Sequence, residues 1–518
     1  MGKGPSGCAA RSEGRRPLLN IGASLPGLDE AERRVLQFQR KLHEWASQDA
    51  ERGFDDLWKL VCDPVTLLVA WSRVSRNKGS RTAGVDGLTR RHVEQQLGVQ
   101  RFLCELRAEL RDARFRPLPV RERQIPKRDG RYRRLGIPVL RDRVVQMALK
   151  LVIEPIFESE FYPSSYGYRP GRRAQDAIAE IHHFATSSYE WVVEADIEAC
   201  FDRIAHSQLL TEVRRRVADK RVLALVRSFL KAGVMTEMGR LERTVTGTPQ
   251  GGIASPLLAN IALSALDRHY QADWQEMSRY RGRRHYLQRT GHATYRQIRF
   301  ADDLVVLVKG NREQAQALLE QLTERVETLG LKLKPEKTGI THIDEGFVFL
   351  GLRIVRRRKG TKRYLYTFVS DQALASVKRK VKALTGRSTT YLELPELLRR
   401  LNPILRGWAA YFRYAAASRT FSYLAHYTWW RVTRWLRKKQ PRISWKQLRP
   451  RYLGAGGIQA GGITLYNPAA IRIVRYRYRG AQISTPWNEA TLDPKGARYR
   501  RTAHDDPAFL TQLQETLA

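Results

Sequence analysis

A chain of 518 residues with 92 Lys and Arg against 52 Asp and Glu carries a formal charge of +40, an excess that calls for a polyanionic partner, nucleic acid being the obvious one. No apolar run approaches bilayer length and the basic residues are spread along the whole chain, so neither a membrane span nor an anionic membrane surface accounts for the charge. The length implies several domains, and the unpaired spacing of Cys8, Cys62, Cys104 and Cys200 excludes a disulfide scaffold and a structural zinc site, fitting a reducing compartment.

In chain order, residues 1–28 are rich in Gly, Ser, Arg and Pro and read as a disordered basic leader. Val35, Leu36, Phe38 and Leu42 predict a helix over 29–48, and a second follows near 63–76. Asn77 to Gly87 is a glycine-punctuated loop. Ile125 to Pro138 predicts a hairpin turning at Asp129-Gly130, with basic residues on both arms. Residues 142–157 form a predicted buried helix. Ser164 to Arg172 is aromatic, basic and glycine-rich, and two readings stay open: a platform for template stacking and phosphate contact, or a packed loop with surface arginines. Trp191 to Ile197 is a predicted strand with Asp196 near its end. Gly247 to Gly252 is a turn-rich loop opening a helix, with Ser255 as N-cap and Pro256 at the first helical position. The charged, aromatic stretch 269–294 has no evident role.

Gln297 to Val308 places the adjacent carboxylates of Asp302 and Asp303 between two apolar runs, the pattern of a β-hairpin. Asp-Asp supplies the positive φ of a tight turn poorly, so turn chemistry alone does not explain the pair. Neighbouring acids also repel, and a divalent cation relieves that repulsion. Brought beside Asp196, the pair makes the carboxylate cluster of a two-metal phosphoryl-transfer site, whose ions sit about 3.5–4 Å apart. Any one of these Asp residues alone reads as a solvated turn acid; the arrangement favours the metal site.

From Ser370 the periodicity turns helical. Val377, Val381 and Leu384 mark one helix, and Leu394 to Trp408 another, bent at Pro403. In a third, Phe421, Leu424, Thr428, Val432 and Trp435 face the core. Its opposite stripe is Tyr423, Tyr427, Trp430, Arg431, Arg434, Arg437 and Lys438, which suits phosphate contact and stacking, a plain solvated face being the alternative.

These segments, in this order, resemble a reverse transcriptase of the group II intron maturase family. Phe300-Ala301-Asp302-Asp303 is similar to the family's Tyr-Ala-Asp-Asp box, with Phe300 in place of the Tyr: a hydroxyl is lost and the aromatic body kept. The resemblance runs through ordered boxes from about Asn77 to Leu352, including Gly247-Thr248-Pro249-Gln250-Gly251 and Leu333-Lys334-Pro335-Glu336-Lys337. Leu401 to Trp408 with the helix after Phe421 then resembles the family's thumb, or maturase, domain, which separates the chain from retroviral enzymes. Beyond Ser444 the basic, Gly/Tyr-rich tail occupies the place of the family's DNA-binding segment.

The resemblance implies an α+β right-hand polymerase: fingers and an antiparallel palm sheet over 29–369, a helical thumb over 370–443, and a small basic C-terminal region over 444–518. It implies RNA-directed DNA synthesis by Asp196, Asp302 and Asp303, with two Mg2+ ions (Mn2+ as substitute) held by Asp196, Ile197 and Asp302. Lys127, Arg133, Gln250 and Lys337 would meet the incoming nucleotide. Phe201, five residues beyond Asp196, would lie under its sugar and exclude a 2′-hydroxyl, while Phe349 and Leu350 would support the primer end. Arg134 stands where the family often has Pro, which leaves open which Arg points inward. The Asn77 to Gly87 loop would lie over template and primer. Implied partners are the parent group II intron RNA, an RNA template and DNA primer, target DNA and deoxynucleoside triphosphates, with a homodimer compatible, in a bacterial cytoplasm or on its nucleoid. No Cys follows Cys200, and His504 is the one His after Ser444, so an endonuclease-lacking member is expected. Two rival readings are a splicing-only maturase and a host-adapted or defence-associated reverse transcriptase without an intron. An RNA-dependent RNA polymerase fits less well, because Phe201 would obstruct ribonucleotides.

Overall fold

The computed structural model describes residues 26–126, 132–454, 457–480 and 483–488. The leader up to residue 25, Lys127, the Asp129-Gly130 turn and the tail from residue 489, His504 included, lie outside the described residues.

The first two predicted helices form, as Leu28–Gln48 and Pro64–Arg76. Asp63 caps the second by accepting from the Val65 N–H at 2.7 Å, and Pro64 fills a position whose N–H would have no helical partner. Both pack on Leu140–Glu158, a helix buried on almost every side. Arg143 of that helix, itself buried, donates to Pro138 O, Gly79 O and Thr82 O at 2.6–2.8 Å and so pins the loop after Arg76 to the body of the protein.

The strands in order are β1 (Val120–Pro126), β2 (Tyr132–Ile137), β3 (Trp191–Asp196), β4 (Val234–Met235), β5 (Leu241–Glu242), β6 (Thr294–Phe300), β7 (Asp303–Lys309) and β8 (Gly339–His342). β1 and β2 make the expected antiparallel hairpin, and β1 also runs parallel to β4, which turns back into β5. The second sheet has the order β6-β7-β3-β8 with every neighbouring pair antiparallel. Its strands obey the period of two. Val193, Ala195, Leu304, Val306 and Val308 face the core shared with the N-terminal helices. Val192, Ile298, Val305 and Leu307 face a second core that contains Leu397, Leu401, Trp408 and Trp435.

A third sheet, β9 (Phe347–Phe349), β10 (Leu352–Lys359) and β11 (Lys362–Val369), leads into the helices Asp371–Leu384, Leu394–Phe412 and Ser418–Lys439. Leu394–Phe412 continues through Pro403 as one helix. The third helix buries Phe421, Leu424, Thr428, Val432 and Trp435, the face its periodicity names. The helix at the Gln250 loop starts at Ser255, which occupies the first turn rather than the cap; its hydroxyl donates instead to Pro249 O at 2.9 Å.

The described part of the tail folds back over the rest. Asn402 holds it through Thr464 O and Tyr466 N, at 2.9 and 2.8 Å. Tyr476, Tyr478 and Arg479 lie against the helix Ala174–Thr186, and the Trp487 ring reaches His43 at 5.5 Å between centroids. Cys62, Cys104 and Cys200 are free thiols, and no helix among the described residues is long and apolar enough to cross a membrane.

Candidate active site

The β6–β7 hairpin turns through Ala301 and Asp302, with Phe300 and Asp303 the last paired residues. Ala301 takes φ +58°, a left-handed conformation that costs a side-chain-bearing residue and must be held by its surroundings. Arg299 does the holding. It is fully buried, and its guanidinium ion-pairs with buried Asp267, contacts Asn260 Oδ1 at 3.1 Å and donates to Ala301 O at 2.8 Å. Asn260 in turn donates to Gly167 O at 2.9 Å. Gly167 lies so close that a Cβ there would be 2.2 Å from the Ala301 nitrogen. The Ser164–Tyr166 backbone runs alongside β6, bonding Arg299 N and O at 2.9 and 2.8 Å.

This settles the Ser164 to Arg172 segment largely as packing. Arg169 is buried with a bidentate grip on Glu158, Arg172 is buried, and Tyr166 donates to Glu180. Its arginines are interior struts, neither surface groups nor free for phosphate. Tyr168 differs from them, its ring lying 6.2 Å from that of Phe201.

Across the sheet, Asp196 of β3 is directly opposite Asp303 of β7. Both Asp302 and Asp303 are held above the usual carboxylate range. For Asp302 the causes are crowding by protein and then the charge of Asp196; for Asp303 they are crowding and then the charges of Asp302 and Asp196. The Asp303 carboxyl still meets solvent, so the crowding is that of a deep cleft rather than of enclosure.

Asp196 turns its two oxygens to lysines: Lys334 Nζ at 2.9 Å and Lys337 Nζ at 2.6 Å. Lys334 is delivered by backbone pairing, with Ile197 bridged to Leu333 and Lys334 N donating to Asp196 O at 2.9 Å. Burial works against the charge of Lys337, but its bond to Asp196 and the three nearby carboxylates outweigh it and raise its pKa. Asp196 is thus countered by two ammonium groups, whereas Asp302 and Asp303 have no such ion pair among the described residues, where the acids do not close into a three-ligand cage. The donor set fits a hard divalent cation: carboxylate oxygens, crowded, mutually repelling and open to the cleft.

Phe201, Gln250 and strand β2 are brought together by backbone hydrogen bonds. Thr248 N donates to Phe201 O at 2.6 Å, and Gly136 N donates to Gln250 O at 2.7 Å, tying the Phe201 turn, the Gln250 loop and strand β2 together. Gly251, at φ +113°, brings its loop so near β2 that a Cβ would meet Gly136 O at 2.6 Å. The two arginines of β2 separate cleanly. Arg134 is bound by Glu122 at 2.5 Å and Glu242 at 2.7 Å, whereas Arg133 is exposed and its charge acts on Asp302. Leu350, at φ +50°, accepts from the Tyr411 hydroxyl at 3.0 Å, so the helix Leu394–Phe412 braces the turn after β9.

On the helix Ser418–Lys439, the predicted stripe divides. Tyr423, Trp430, Arg434, Arg437 and Lys438 are exposed. Arg431 is not available as expected, since its guanidinium caps the end of helix Asp371–Leu384 through Thr385 Oγ1, Thr385 O and Lys382 O at 3.0–3.3 Å. Tyr423 and Tyr427 stack 6.4 Å apart and hold Lys378 and its carbonyl. Lys334 and the Arg299–Asp267–Asn260 network were missed from sequence. Lys332-Leu333-Lys334 has the alternation of a short strand, yet nothing in it names Asp196, and a charged residue inside a buried strand is the only signal Arg299 gives.

An antiparallel sheet with Asp196 opposite Asp303 and Asp302 in the adjoining turn is the arrangement of a template-directed nucleic-acid polymerase. Residues 125–354 match the reverse transcriptase (RNA-dependent DNA polymerase) family, and residues 374–453 match the maturase-specific domain of group II introns. Protein YkfC of Escherichia coli K12 is 36% identical over 359 residues, 65% of this chain and 93% of YkfC. The group II intron-encoded protein LtrA of Lactococcus lactis is 30% identical over 366 residues, 61% of this chain and 59% of LtrA. A structure of telomerase from Candida albicans with a fragment of telomeric RNA aligns with 62% of this chain and 59% of that one at 15% identity and a TM-score of 0.34, too low to argue from. The chain belongs to the group II intron-encoded reverse transcriptase and maturase family, and carries both of that family's domains in order.

Proposed function

We propose that the chain copies RNA into DNA from a primer 3′ end, and that it binds its parent group II intron RNA to assist splicing. The observation that carries the reading is the opposition of Asp196 and Asp303 across β3 and β7, with Asp302 in the adjoining turn. Asp196, Asp302 and the Ile197 carbonyl would hold two Mg2+ ions, with Asp303 in support. When bound, the ions supply Lewis acidity to the attacking and leaving oxygens. Lys334 and Lys337 would release Asp196 to the metal, leaving Lys337 free to meet the triphosphate. Lys127 and Arg133 would neutralise its phosphate charge, Gln250 would contact the nucleotide, and Phe201 would floor the sugar. Residues 29–369 are the fingers and palm, 370–443 the thumb, and 444–518 a basic region toward target DNA. The exposed thumb residues Trp430, Arg434, Arg437 and Lys438 would contact RNA.

The test separates the two activities. Asp302→Ala with Asp303→Ala should abolish primer extension on an RNA template while leaving assisted splicing of a group II intron RNA nearly intact. Arg434→Ala, Arg437→Ala and Lys438→Ala together should weaken RNA binding, lower its logarithmic salt slope by about 2–3, and impair splicing. Loss of splicing as severe as loss of synthesis in the carboxylate variant, despite a normal melting curve, refutes this division of labour.

A further inference from the structure

The stretch between the Gln250 helix and β6 packs as a small basic knob. The helix Ser255–Met277 ends there, a short helix Arg283–Arg289 follows, and β6 begins at Thr294. Between Ser278 and Ala293 stand Arg279, Arg281, Arg283, Arg284 and Arg289, with no Asp or Glu among them. Glu276 reaches Arg283 at 3.5 Å and Arg279 at 4.0 Å, but Arg281, Arg284 and Arg289 form no ion pair among the described residues.

Two features make this more than a solvated charged surface. Tyr280 and Tyr286 are 54% and 47% exposed, and the Arg283 guanidinium lies 5.8 and 5.6 Å from their ring centroids, fixing both rings at the surface. The base of the knob is also anchored: Arg284 stacks over Trp274 at 4.8 Å, and Gln288 donates to Thr294 Oγ1 at 2.9 Å. Guanidinium groups without carboxylates beside upright aromatic faces are what phosphates flanking unstacked bases require. The knob adjoins the first residue of β6, and Phe300 at its other end adjoins the catalytic turn, so about 20 Å of strand separates them. That distance sets the knob apart from the catalytic turn.

We propose that residues 279–289 form a second RNA-binding surface, which takes a single-stranded loop of a structured RNA while the cleft holds template and primer. This rests on the reading of the chain as an intron-binding reverse transcriptase and gives that RNA an anchoring point on the palm. Phosphates would pair with Arg281, Arg284 and Arg289, and bases would stack on Tyr280 and Tyr286.

The test uses full-length protein preloaded with an RNA template annealed to a DNA primer, titrated against a fluorescent RNA stem-loop, with a DNA stem-loop of the same sequence as a separate arm. Arg281→Ala, Arg284→Ala and Arg289→Ala together should weaken RNA stem-loop binding about tenfold or more and lower the salt slope by about 2. Tyr280→Ala with Tyr286→Ala should weaken binding about tenfold without changing the slope. Both variants should extend the preloaded primer at the wild-type rate, since about 20 Å of strand separates the knob from the catalytic turn. Unchanged stem-loop affinity and slope in both variants overturns the surface. An equal loss for the DNA stem-loop overturns the assignment to RNA. Wild-type protein that extends primers but captures no stem-loop refutes the knob alone, whereas wild-type protein that does neither refutes the underlying reading as well.

Discussion

Phe201 is half-buried, with its carbonyl held by the Thr248 N–H and its ring edge-on to Tyr168 at 6.2 Å. Both contacts hold the residue in place, as the proposed exclusion of a 2′-hydroxyl by size requires. Phe201→Val should raise ribonucleotide incorporation relative to deoxynucleotide by about 10–100-fold, the range that a small steric change in a pocket supplies. Competition between the two nucleotides in single-turnover primer extension measures it, and wild-type discrimination in the variant rules out the gate. The placement of individual residues was legible where local pattern fixes it, as for Asp196 at the end of a strand and Asp302 in the turn of a hairpin. It was illegible where the outcome depends on a neighbour from elsewhere in the chain. Arg133 and Arg134 differ only in that Glu122 and Glu242 capture the latter. Helical periodicity puts Arg431 on the outer stripe correctly, yet cannot tell that the end of another helix lies beside it.

At the scale of elements, the hairpin that carries the acids depends on the segment beneath it. A tight turn with Ala rather than Gly at positive φ persists because Arg299 grips its carbonyl and Gly167 presses against its nitrogen. Gly167→Ala forces a Cβ into backbone with no flexible side chain to yield, a strain of about 1–3 kcal/mol that the turn itself must absorb. The expected result is a fall of tenfold or more in the rate of single-nucleotide addition, with primer–template affinity within about twofold of wild type. A variant with the wild-type addition rate shows that the turn tolerates the displacement. The strand pair itself was legible from its flanking apolar runs. The polar content of β6 was not explained by that pattern, because Arg296, Gln297 and Arg299 are buried against Glu180 and Asp267 rather than turned to water. Buried ion pairs of this kind add little net stability, but removing one partner strands a charge, so they specify position more than they stabilise.

At the scale of the molecule, the antiparallel sheet and the helices after Asp371 share one apolar core, and the tail fastens them from outside. Val305 and Leu307 of β7 belong to the same cluster as Leu401 and Trp408 of the helix Leu394–Phe412. The tail then crosses from thumb to palm: Val474 N bonds Arg413 O at 3.0 Å, and Tyr476 and Arg479 both bind Asp176, itself 3% exposed. Tyr478 adds a stacked contact with His183 at 4.6 Å. Composition suggested only a basic tail here, because the carboxylate it meets lies some three hundred residues away in sequence. Removing the strap's polar contacts leaves Asp176 with only the amide groups at the start of its own helix, a cost on the order of 1–3 kcal/mol for a pair whose Arg is partly solvated. Arg479→Ala with Tyr476→Phe should therefore lower Tm by about 2–6 °C. Because the core is continuous, thumb and palm should still melt in a single calorimetric transition. The same variant should speed proteolysis within 466–488 more than anywhere else, since the tail is released before the core opens. An unchanged Tm together with unchanged cleavage would mean that the segment merely lies on the palm, and that the shared apolar core alone joins the two halves.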